Sequence, residues 1–302
     1  MLTSRQGLRQ PLLGDMDRDT RLDIVRRAYA KQIMAAAGLS DRRLENAFAT
    51  VPREVFLGRG PWPILRWGRG YETSPSSDPV YLYADVLPGI IPERNLNNGQ
   101  PSFLASLIAA AAPKPGEHVV HIGAGVGYYT AILAHMAGRR GQVTAIEYEP
   151  ILAVRLTQNL ADAKNIRVIH GDGARVDFAP ADAILVNAGA TRPADRWLDR
   201  LADGGRLILP LTVDFADHTT TPFERQGAVF RIDRRGDEFA AKRLSGVGIY
   251  PCHGMRDPAA ERALAAAFAA GGVENVTRLY RHNDVSDADC WLRGEGWCLA
   301  YR

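Results

Sequence analysis

The sequence predicts an α/β fold with a mostly parallel, doubly wound sheet. Five short apolar runs alternate with helical segments through the middle of the chain, at residues 119–122, 143–147, 166–169, 183–186 and 207–211. Each run ends in, or is followed by, glycine or polar residues, and in a parallel sheet these ends meet along one edge. The sequence therefore predicts one ligand crevice across the carboxyl ends of the strands.

Further elements are expected before this sheet. Residues 1 to about 18 are polar and predicted to lack fixed structure. Helical patterns at residues 18–34 and 40–49 predict an N-terminal helical cap, with Ser40 as the N-cap of the second helix. Residues 58–98 are rich in Pro, Gly, Trp and Tyr, which predicts a long loop packed over the crevice.

Other elements are expected after the fifth strand. Residues 229–232 and 239–244 predict an antiparallel closing hairpin. Residues 252–302 predict an α+β extension with one helix at 257–270 and two short strand-like pieces near its end. The chain is thus expected to divide into a helical cap and loop, a Rossmann-like domain and a C-terminal extension. The corresponding residues are 1–98, 99–251 and 252–302.

The loop after the first strand contains glycines at positions 123, 125 and 127, within the stretch V-V-H-I-G-A-G-V-G-Y-Y at residues 119–129. Glycines at this spacing permit a tight turn and a close approach of the backbone to a ligand. Dinucleotide-binding loops place the third glycine one position later, where this chain has Tyr128. The spacing therefore favours a ligand without phosphates, such as S-adenosylmethionine, over NAD, and an oxidoreductase is the more distant alternative.

Carboxylates follow at the next two strand ends. Glu147 ends the second strand, where it can accept hydrogen bonds from both hydroxyls of a ribose. Asp172 lies in the G-D-G sequence after the third strand, where it can accept from the exocyclic amine of adenine. Each has an ordinary alternative, a solvated strand end for Glu147 and an Asp-Gly turn for Asp172.

The strand ends together supply the candidate cofactor-binding residues of the sequence. They are Gly123, Ala124, Gly125, Gly127, Tyr128, Glu147, Tyr148, Gly171, Asp172, Gly173 and Asn187. Their agreement along one sheet edge favours a methyltransferase that uses S-adenosylmethionine.

The chain resembles the protein L-isoaspartate O-methyltransferase family. The motifs that carry the resemblance are V-P-R-E-V-F at 51–56, Y-A-D at 83–85, Q-P at 100–101, H-I-G-A-G-V-G-Y at 121–128, G-D-G at 171–173 and G-G-R-L-I-L-P at 204–210. The resemblance covers roughly residues 45–251. It implies a Rossmann-like methyltransferase fold, S-adenosylmethionine as methyl donor, a carboxylate of a protein or peptide as acceptor, and a role in protein repair.

The acceptor site implied by the resemblance lies at Asn97, Asn98, Gly99 and Gln100. The family usually has a serine-bearing triplet before the Q-P step, whereas this chain has Asn97-Asn98-Gly99. The asparagine amides offer donors for a carboxylate, and an ordinary turn is the alternative interpretation. Methylation of another peptide or small-molecule acid, or binding of the cofactor without catalysis, is therefore kept beside isoaspartyl methylation.

The fourth strand end lacks a residue that could act as a general base, and this agrees with methylation of a carboxylate. A carboxylate is already ionised at neutral pH, so no general base is needed. The fourth strand end, Asn187-Ala188-Gly189, contains neither His nor Lys. His121 lies inside the first strand and is interpreted as a structural residue. The cysteines and histidines of the extension lack the paired spacing of a zinc site, so no metal is predicted.

Composition and sequence pattern predict a cytoplasmic protein. A net charge of +3, from 37 basic and 34 acidic residues, is too small to indicate a nucleic-acid partner. No apolar run approaches the length of a membrane span, and no signal-peptide pattern opens the chain. Three cysteines predict no disulfide framework. The oligomeric state is left open.

Overall fold

The computed structural model describes residues 17–213 and 227–302. Residues 1 to about 18 were expected to lack fixed structure, and most of this stretch lies outside these ranges. Only residues 17 and 18 of it are described. Asp17 is the N-cap of the first helix, because its carboxylate accepts hydrogen bonds from the backbone N–H groups of Asp19 and Thr20. Arg18 is the first residue of that helix.

Three helices open the described part of the chain, namely α1 (Arg18–Ala36), α2 (Arg42–Thr50) and α3 (Arg53–Leu57). The prediction of Ser40 as N-cap of α2 is wrong. Asp41 takes this position, since its carboxylate reaches the backbone N–H groups of Arg43 and Leu44.

Two small hairpins interrupt the predicted long loop at residues 58–98. Their strands are β1 (Pro63–Arg66), β2 (Gly70–Thr73), β3 (Gly89–Ile91) and β4 (Leu96–Asn97). The prediction of one long loop at 58–98 is therefore wrong in part, because four short strands pair there. Left-handed backbone at Gly68 and Asn95, with φ of 75° and 55°, allows the chain to reverse tightly within each hairpin. Each strand has at most four residues, too few to give a clear alternation in sequence.

A parallel sheet with intervening helices forms the centre of the molecule. In chain order its elements are α4 (Pro101–Ala111), β5 (His118–Ile122), α5 (Tyr128–Ala137), β6 (Gln142–Glu147), α6 (Pro150–Asn159), β7 (Ile166–His170), β8 (Ala181–Val186), α7 (Asp195–Asp199) and β9 (Leu201–Thr212). The strands stand in the order β7-β6-β5-β8-β9, all parallel. The order reverses between β5 and β8, and the crevice beyond these strand ends is where such sheets bind ligands.

The sheet continues with antiparallel strands. These are β10 (Gly227–Arg235), β11 (Glu238–Gly246), β12 (Arg278–Tyr280), β13 (Cys290–Gly294) and β14 (Trp297–Ala300), and helix α8 (Pro258–Ala270) precedes β12. Within the described residues the sheet has ten strands, with the antiparallel half in the order β10-β11-β12-β14-β13. The predicted fold class, the closing hairpin and the helix of the extension are confirmed, while β12 was not predicted. The extension thus widens the same sheet, and the division at residues 98 and 251 stays a prediction.

Alternate residues of the strands pack into two hydrophobic cores, one on each face of the sheet. The first core contains Val119 and Ala145 with buried residues of α1, α2, α4, α5 and α6. The second contains Val120 and Ile122 with buried residues of α7 and α8. The first core extends into the turn after β5 through Ala124 and Val126, so the candidate site rests on packed elements.

A disulfide joins Cys290 and Cys298 across strands β13 and β14, and Cys252 is a buried free thiol. The expectation that three cysteines form no disulfide is therefore wrong. Antiparallel pairing of the two strands brings the Cα atoms of Cys290 and Cys298 to 6.1 Å, a distance that a disulfide spans. The odd count in sequence does not reveal such a pairing. Among the described helices, none is long and apolar enough to cross a membrane.

Candidate functional site

The three glycines between β5 and α5 all have left-handed backbone, with φ of 73° at Gly123, 59° at Gly125 and 98° at Gly127. Their surroundings differ. A Cβ on Gly123 would lie 3.1 Å from the carbonyl oxygen of Asn187, and one on Gly127 would lie 2.8 Å from Leu156 Cδ1. A Cβ on Gly125 would meet nothing within 4 Å. The turn is thus packed at both ends and leaves open space at its middle residue, where a ligand can approach the backbone.

The Glu147 side chain joins the end of β6 to this turn. Its Oε2 accepts a hydrogen bond from the Gly125 N–H at 2.6 Å, and its Oε1 accepts from the Glu149 N–H at 2.9 Å. The residue is only 6% exposed. Burial raises the pKa of Glu147, although the two hydrogen bonds act in the opposite direction. Each oxygen retains a lone pair, so the carboxylate can still accept hydrogen bonds from two hydroxyls.

Asp172 lies at the end of the neighbouring strand β7. Its Oδ1 accepts from the Ala174 N–H at 2.9 Å, and its Oδ2 lies 3.4 Å from Arg175 Nε. The flanking glycines are required by packing, because a Cβ on Gly171 would meet Val176 at 2.7 Å and one on Gly173 would meet Ile122 at 2.4 Å. The Asp-Gly turn and a ligand-facing carboxylate are therefore compatible at this position.

Asn187 stands at the end of β8, across the turn from Gly123. Its backbone N–H donates to the Ile122 carbonyl at 2.8 Å, and its Nδ2 donates to the Gly123 carbonyl at 3.4 Å. The structure thus brings the predicted residues Gly123, Gly125, Glu147 and Asn187 together at one sheet edge.

Tyr128 differs from the other predicted cofactor residues. Its side chain is fully buried and packs edge-on against Phe48 and Phe56. The guanidinium carbon of Arg53 lies 5.6 Å from the centre of its ring. The side chain is thus a core residue because helix α5 begins here and directs it toward the N-terminal cap, so only the backbone of Tyr128 remains for a ligand contact.

The predicted acceptor residues form a turn that leads into helix α4. Asn97 Oδ1 accepts from the Gly99 N–H at 2.8 Å, and Asn97 Nδ2 donates to the Tyr71 hydroxyl at 3.3 Å. Asn98 is buried, and its Nδ2 has no hydrogen-bond partner within the described residues. Gln100 Nε2 donates to Asp85 Oδ2 at 2.8 Å. The Asn97 side chain therefore stabilises the turn, and Asn98 supplies a buried amide with an unused donor.

Gly99 has left-handed backbone, with φ of 73°, and a Cβ there would lie 2.9 Å from Leu104 Cδ2. A serine side chain at this position would be strained by both the backbone and the neighbouring leucine. The left-handed backbone of this turn thus favours glycine at position 99.

Two residues that support this turn were missed by the sequence analysis. Asp85 accepts hydrogen bonds from the backbone N–H and the hydroxyl of Ser102, at 2.8 and 2.6 Å, and so fixes the first turn of α4. Arg53 is fully buried and donates from its guanidinium to carbonyl oxygens of Leu82, Ala84, Val86 and Gly99. Arg53 lies in the V-P-R-E-V-F motif and Asp85 in Y-A-D. Both motifs thus hold the Asn97–Gln100 turn. The motifs were visible in the sequence, but the sequence did not show which contacts their residues make.

The extension also reaches the site. The rings of Tyr148 and His253 stack with centroids 3.7 Å apart and planes inclined by 18°. A Cβ on Gly254 would lie 2.3 Å from Asp172 Oδ2. Arg94 donates to the Glu149 carboxylate, with one distance of 2.9 Å, and lies 3.4 Å from the Tyr250 hydroxyl. The predicted residue Tyr148 is thus covered by a part of the chain that the resemblance does not include.

The chain is similar to known proteins over most of its length. A family model described as "Protein-L-isoaspartate(D-aspartate) O-methyltransferase (PCMT)" matches residues 78–245. A protein-L-isoaspartate O-methyltransferase of Methylorubrum populi is 33% identical over 234 residues, which are 76% of this chain and 95% of that protein. A relative of the same name from Methanoregula boonei is 32% identical over 238 residues, covering 78% and 94%.

Solved structures show the same fold. A protein-L-isoaspartate O-methyltransferase structure matches with a TM-score of 0.62 at 24% identity, covering 76% of this chain and 66% of the other. A putative enzyme of this name from Plasmodium falciparum, in complex with S-adenosyl-L-homocysteine, matches with a TM-score of 0.58 at 19% identity, covering 75% and 97%.

Proposed function

The chain belongs to the protein-L-isoaspartate(D-aspartate) O-methyltransferase family, and we propose that it transfers a methyl group from S-adenosylmethionine to a carboxylate. The acceptor we propose is the carboxylate of an isoaspartyl residue in a protein or peptide. The observation that carries this proposal is the extent of the family match. Residues 78–245 include the glycine turn, Glu147, Asp172 and the Asn97–Gln100 turn.

The residues at the strand ends fit S-adenosylmethionine. Open space beside Gly125 admits a ligand to the backbone of the turn. Glu147 is buried and ends in acceptor oxygens, which suit the two ribose hydroxyls, and Asp172 is an acceptor for the adenine amine. In this proposal the glycine turn holds the amino-acid part of the cofactor. Gly171 and Gly173 allow Val176 and Ile122 to pack closely on either side of Asp172, which holds this turn at the strand end.

When bound, S-adenosylmethionine supplies an electrophilic methyl group on its sulfonium. The protein's part is to hold the acceptor oxygen about 3 to 3.5 Å from that carbon and in line with the bond that breaks. A carboxylate needs no deprotonation at neutral pH, so the absence of His and Lys from the Asn187-Ala188-Gly189 strand end is compatible with the reaction. His121 takes no part, because it is fully buried and its Nδ1 lies 2.9 Å from Thr130 Oγ1.

The Asn97–Gln100 turn is the proposed acceptor site. Asn98 Nδ2 is a buried donor without a partner in the described residues, and an acceptor carboxylate would satisfy it. Asn97 and Gln100 act indirectly, because their amides hold the turn through Gly99 and Asp85. Arg53 and Asp85 keep this turn against helix α4.

One observation favours a second acceptor class, another peptide or small-molecule carboxylate. The triplet Asn97-Asn98-Gly99 contains no hydroxyl, and the backbone of Gly99 disfavours adding one. An amide donor in place of a hydroxyl changes the geometry with which an acceptor is held.

A methyl-transfer assay tests the proposal. The protein is incubated with radiolabelled S-adenosylmethionine and an isoaspartyl peptide, in parallel with the aspartyl twin of that peptide, after calorimetry has measured cofactor binding. We expect base-labile label on the isoaspartyl peptide and none on the twin. Glu147→Gln serves as the control for dependence on the proposed cofactor site.

The outcomes separate the candidates. Label on both peptides, or on free small acids alone, identifies the second acceptor class. Cofactor binding without label on any acid contradicts catalysis and leaves a binding protein. Failure of both cofactor binding and label transfer contradicts the assignment of the crevice itself.

A further inference from the structure

Residues 250–256, here called the cover segment, run beside the end of strand β8. The Gly189 N–H donates to the Tyr250 carbonyl, and the Cys252 N–H donates to the Gly189 carbonyl, both at 2.8 Å. The Thr191 N–H donates to the Met255 carbonyl at 3.0 Å. Hydrogen bonds on both sides thus anchor the ends of the short stretch that carries His253 and Gly254.

His253 lies directly on Tyr148. The centroid distance of 3.7 Å is the contact distance of two stacked rings, so nothing fits between them. Tyr148 follows Glu147, the residue that we assign to the ribose. An adenine ring held at Asp172, with its ribose on Glu147, would need an apolar surface at this place, and one face of the Tyr148 ring is occupied by the imidazole.

Gly254 lies directly on Asp172. Its backbone is left-handed, with φ of 77°, and a Cβ would lie 2.3 Å from Asp172 Oδ2 and 2.9 Å from Oδ1. The left-handed backbone favours glycine at this position and brings it close to the Asp172 carboxylate. The residue before His253, Cys252, is buried, and burial together with the Asp172 and Glu147 carboxylates raises the pKa of its thiol to about 12. Two consecutive residues of the cover segment, His253 and Gly254, therefore lie against Tyr148 and Asp172, where the adenine is expected.

We propose that His253 gates the cofactor site by occupying the Tyr148 ring face that the adenine takes in the complex. The cofactor then binds by displacing the imidazole, so that part of its binding free energy is used to break the Tyr148–His253 stack. This inference rests on the proposed function, since it takes the assignment of Glu147 and Asp172 from it. It assigns a role in cofactor binding to the extension beyond residue 251.

The contacts of the neighbouring residues confine the motion to a short stretch. Arg256 Nη1 donates to the Thr212 carbonyl at 2.8 Å and holds the end of the cover segment. The Met255 N–H donates to the Cys252 carbonyl at 3.1 Å. On the outer side, Arg94 contacts both Glu149 and Tyr250. A rotation of the His253 side chain with a local shift at Gly254 opens the site while these contacts remain.

S-adenosylhomocysteine is the product that remains after the methyl group has been transferred. Calorimetry of its binding tests the gate. The proteins are the wild type, His253→Ala, His253→Phe and the matched control His282→Ala. His282 is another histidine of the extension, and its ring lies 5.2 Å from that of Tyr280, centroid to centroid. Because no ring stack has to be broken, His253→Ala is expected to bind S-adenosylhomocysteine about 2- to 10-fold more tightly than the wild type. Stopped-flow measurements should also show a faster association rate.

The controls make the result specific. His253→Phe keeps a ring on Tyr148 and is expected to bind no more tightly than the wild type, and His282→Ala is expected to match the wild type. An unchanged or weaker affinity of His253→Ala overturns the gate, because a mere wall of the site loses affinity when it is truncated. If the wild type does not bind and His253→Ala does, the gate is supported. If neither binds, both the gate and the proposed function fail.

Discussion

The Glu147 carboxylate accepts a hydrogen bond from the backbone N–H of Gly125, with 2.6 Å between Oε2 and the nitrogen. This contact joins the ends of β6 and β5, which pair as neighbouring parallel strands. It orients the carboxylate toward the middle of the glycine turn, where a Cβ would meet only open space. The acceptor proposed for the ribose and the backbone proposed for the amino-acid part of the cofactor are thus held as one unit.

Replacement of Glu147 by Gln is expected to weaken S-adenosylmethionine binding by about 1 to 3 kcal/mol, or roughly 5- to 150-fold in Kd. The amide nitrogen repels a backbone donor at one of the two carboxylate positions and removes the negative charge that strengthens hydrogen bonds from the ribose. Calorimetry measures the change. Glu238→Gln, on the exposed end of β11, is the control and should leave the Kd as it is. Equal affinity of Glu147→Gln and wild type would show that the ribose binds elsewhere.

Gly99→Ser restores the hydroxyl found in the family, yet it is expected to destabilise the protein. Left-handed backbone costs a residue with a side chain about 1 to 2 kcal/mol, and the new Cβ would also crowd Leu104. Gly204→Ser is the matched control, because Gly204 has the same φ of 73° with nothing within 4 Å of a Cβ. The unfolding free energy from urea titration should fall more for Gly99→Ser than for Gly204→Ser. Equal losses would contradict the crowding by Leu104.

Arg206→Met is expected to lower the unfolding free energy by about 1 to 3 kcal/mol, because it removes the buried guanidinium that donates to the half-buried carboxylate of Glu117. The two side chains are 7% and 15% exposed, and Arg206 Nη2 lies 2.7 Å from Glu117 Oε2. Burial raises the pKa of Glu117, but the hydrogen bonds from Arg206 and the Lys114 N–H outweigh it and hold the pKa below its usual value.

The control for Arg206 is Arg278→Met. Arg278 pairs with Glu238 at 3.0 Å, but these side chains are 42% and 74% exposed. Its loss should cost no more than about 1 kcal/mol. If the two variants lose the same stability, the buried pair adds nothing beyond an exposed one.

His121 is expected to make the protein less stable in acid. Burial lowers the pKa of His121 from its usual 6.5 to about 3, so between these values the unfolded chain binds a proton that the folded protein does not. The unfolding free energy then falls as pH falls through this window, by up to about 1.4 kcal/mol per pH unit, and is unaffected above it.

A comparison of urea titrations at pH 7.5 and 5.5 measures this effect. His121→Asn keeps a polar group beside Thr130 but does not titrate, so its stability should change less between the two pH values than that of the wild type. An identical pH dependence in both proteins would assign the acid sensitivity to other groups.

The parallel sheet and the strand-end residues were predictable from the sequence because their signals are local. The apolar runs, the glycine turn, Glu147 and Asp172 are each defined by a few consecutive residues, and parallel strands place their ends at one edge. The hairpins at 58–98 were not predictable, because strands of at most four residues show no clear alternation. The N-cap of α2 was misplaced by one residue, since Ser40 and Asp41 are both good caps and only the geometry distinguishes them.

The sequence by itself determined the fold class, the cofactor class and the family resemblance, since these depend on residue types at short spacing. Only the tertiary structure decided which residues support the site. In the structure Arg53 donates to the Gly99 carbonyl, the Tyr128 side chain packs in the core, and the His253 ring stacks on Tyr148. These partners are far apart in the chain, and their contacts exist only because packing of the N-terminal cap and the extension against one sheet brings them within reach of each other.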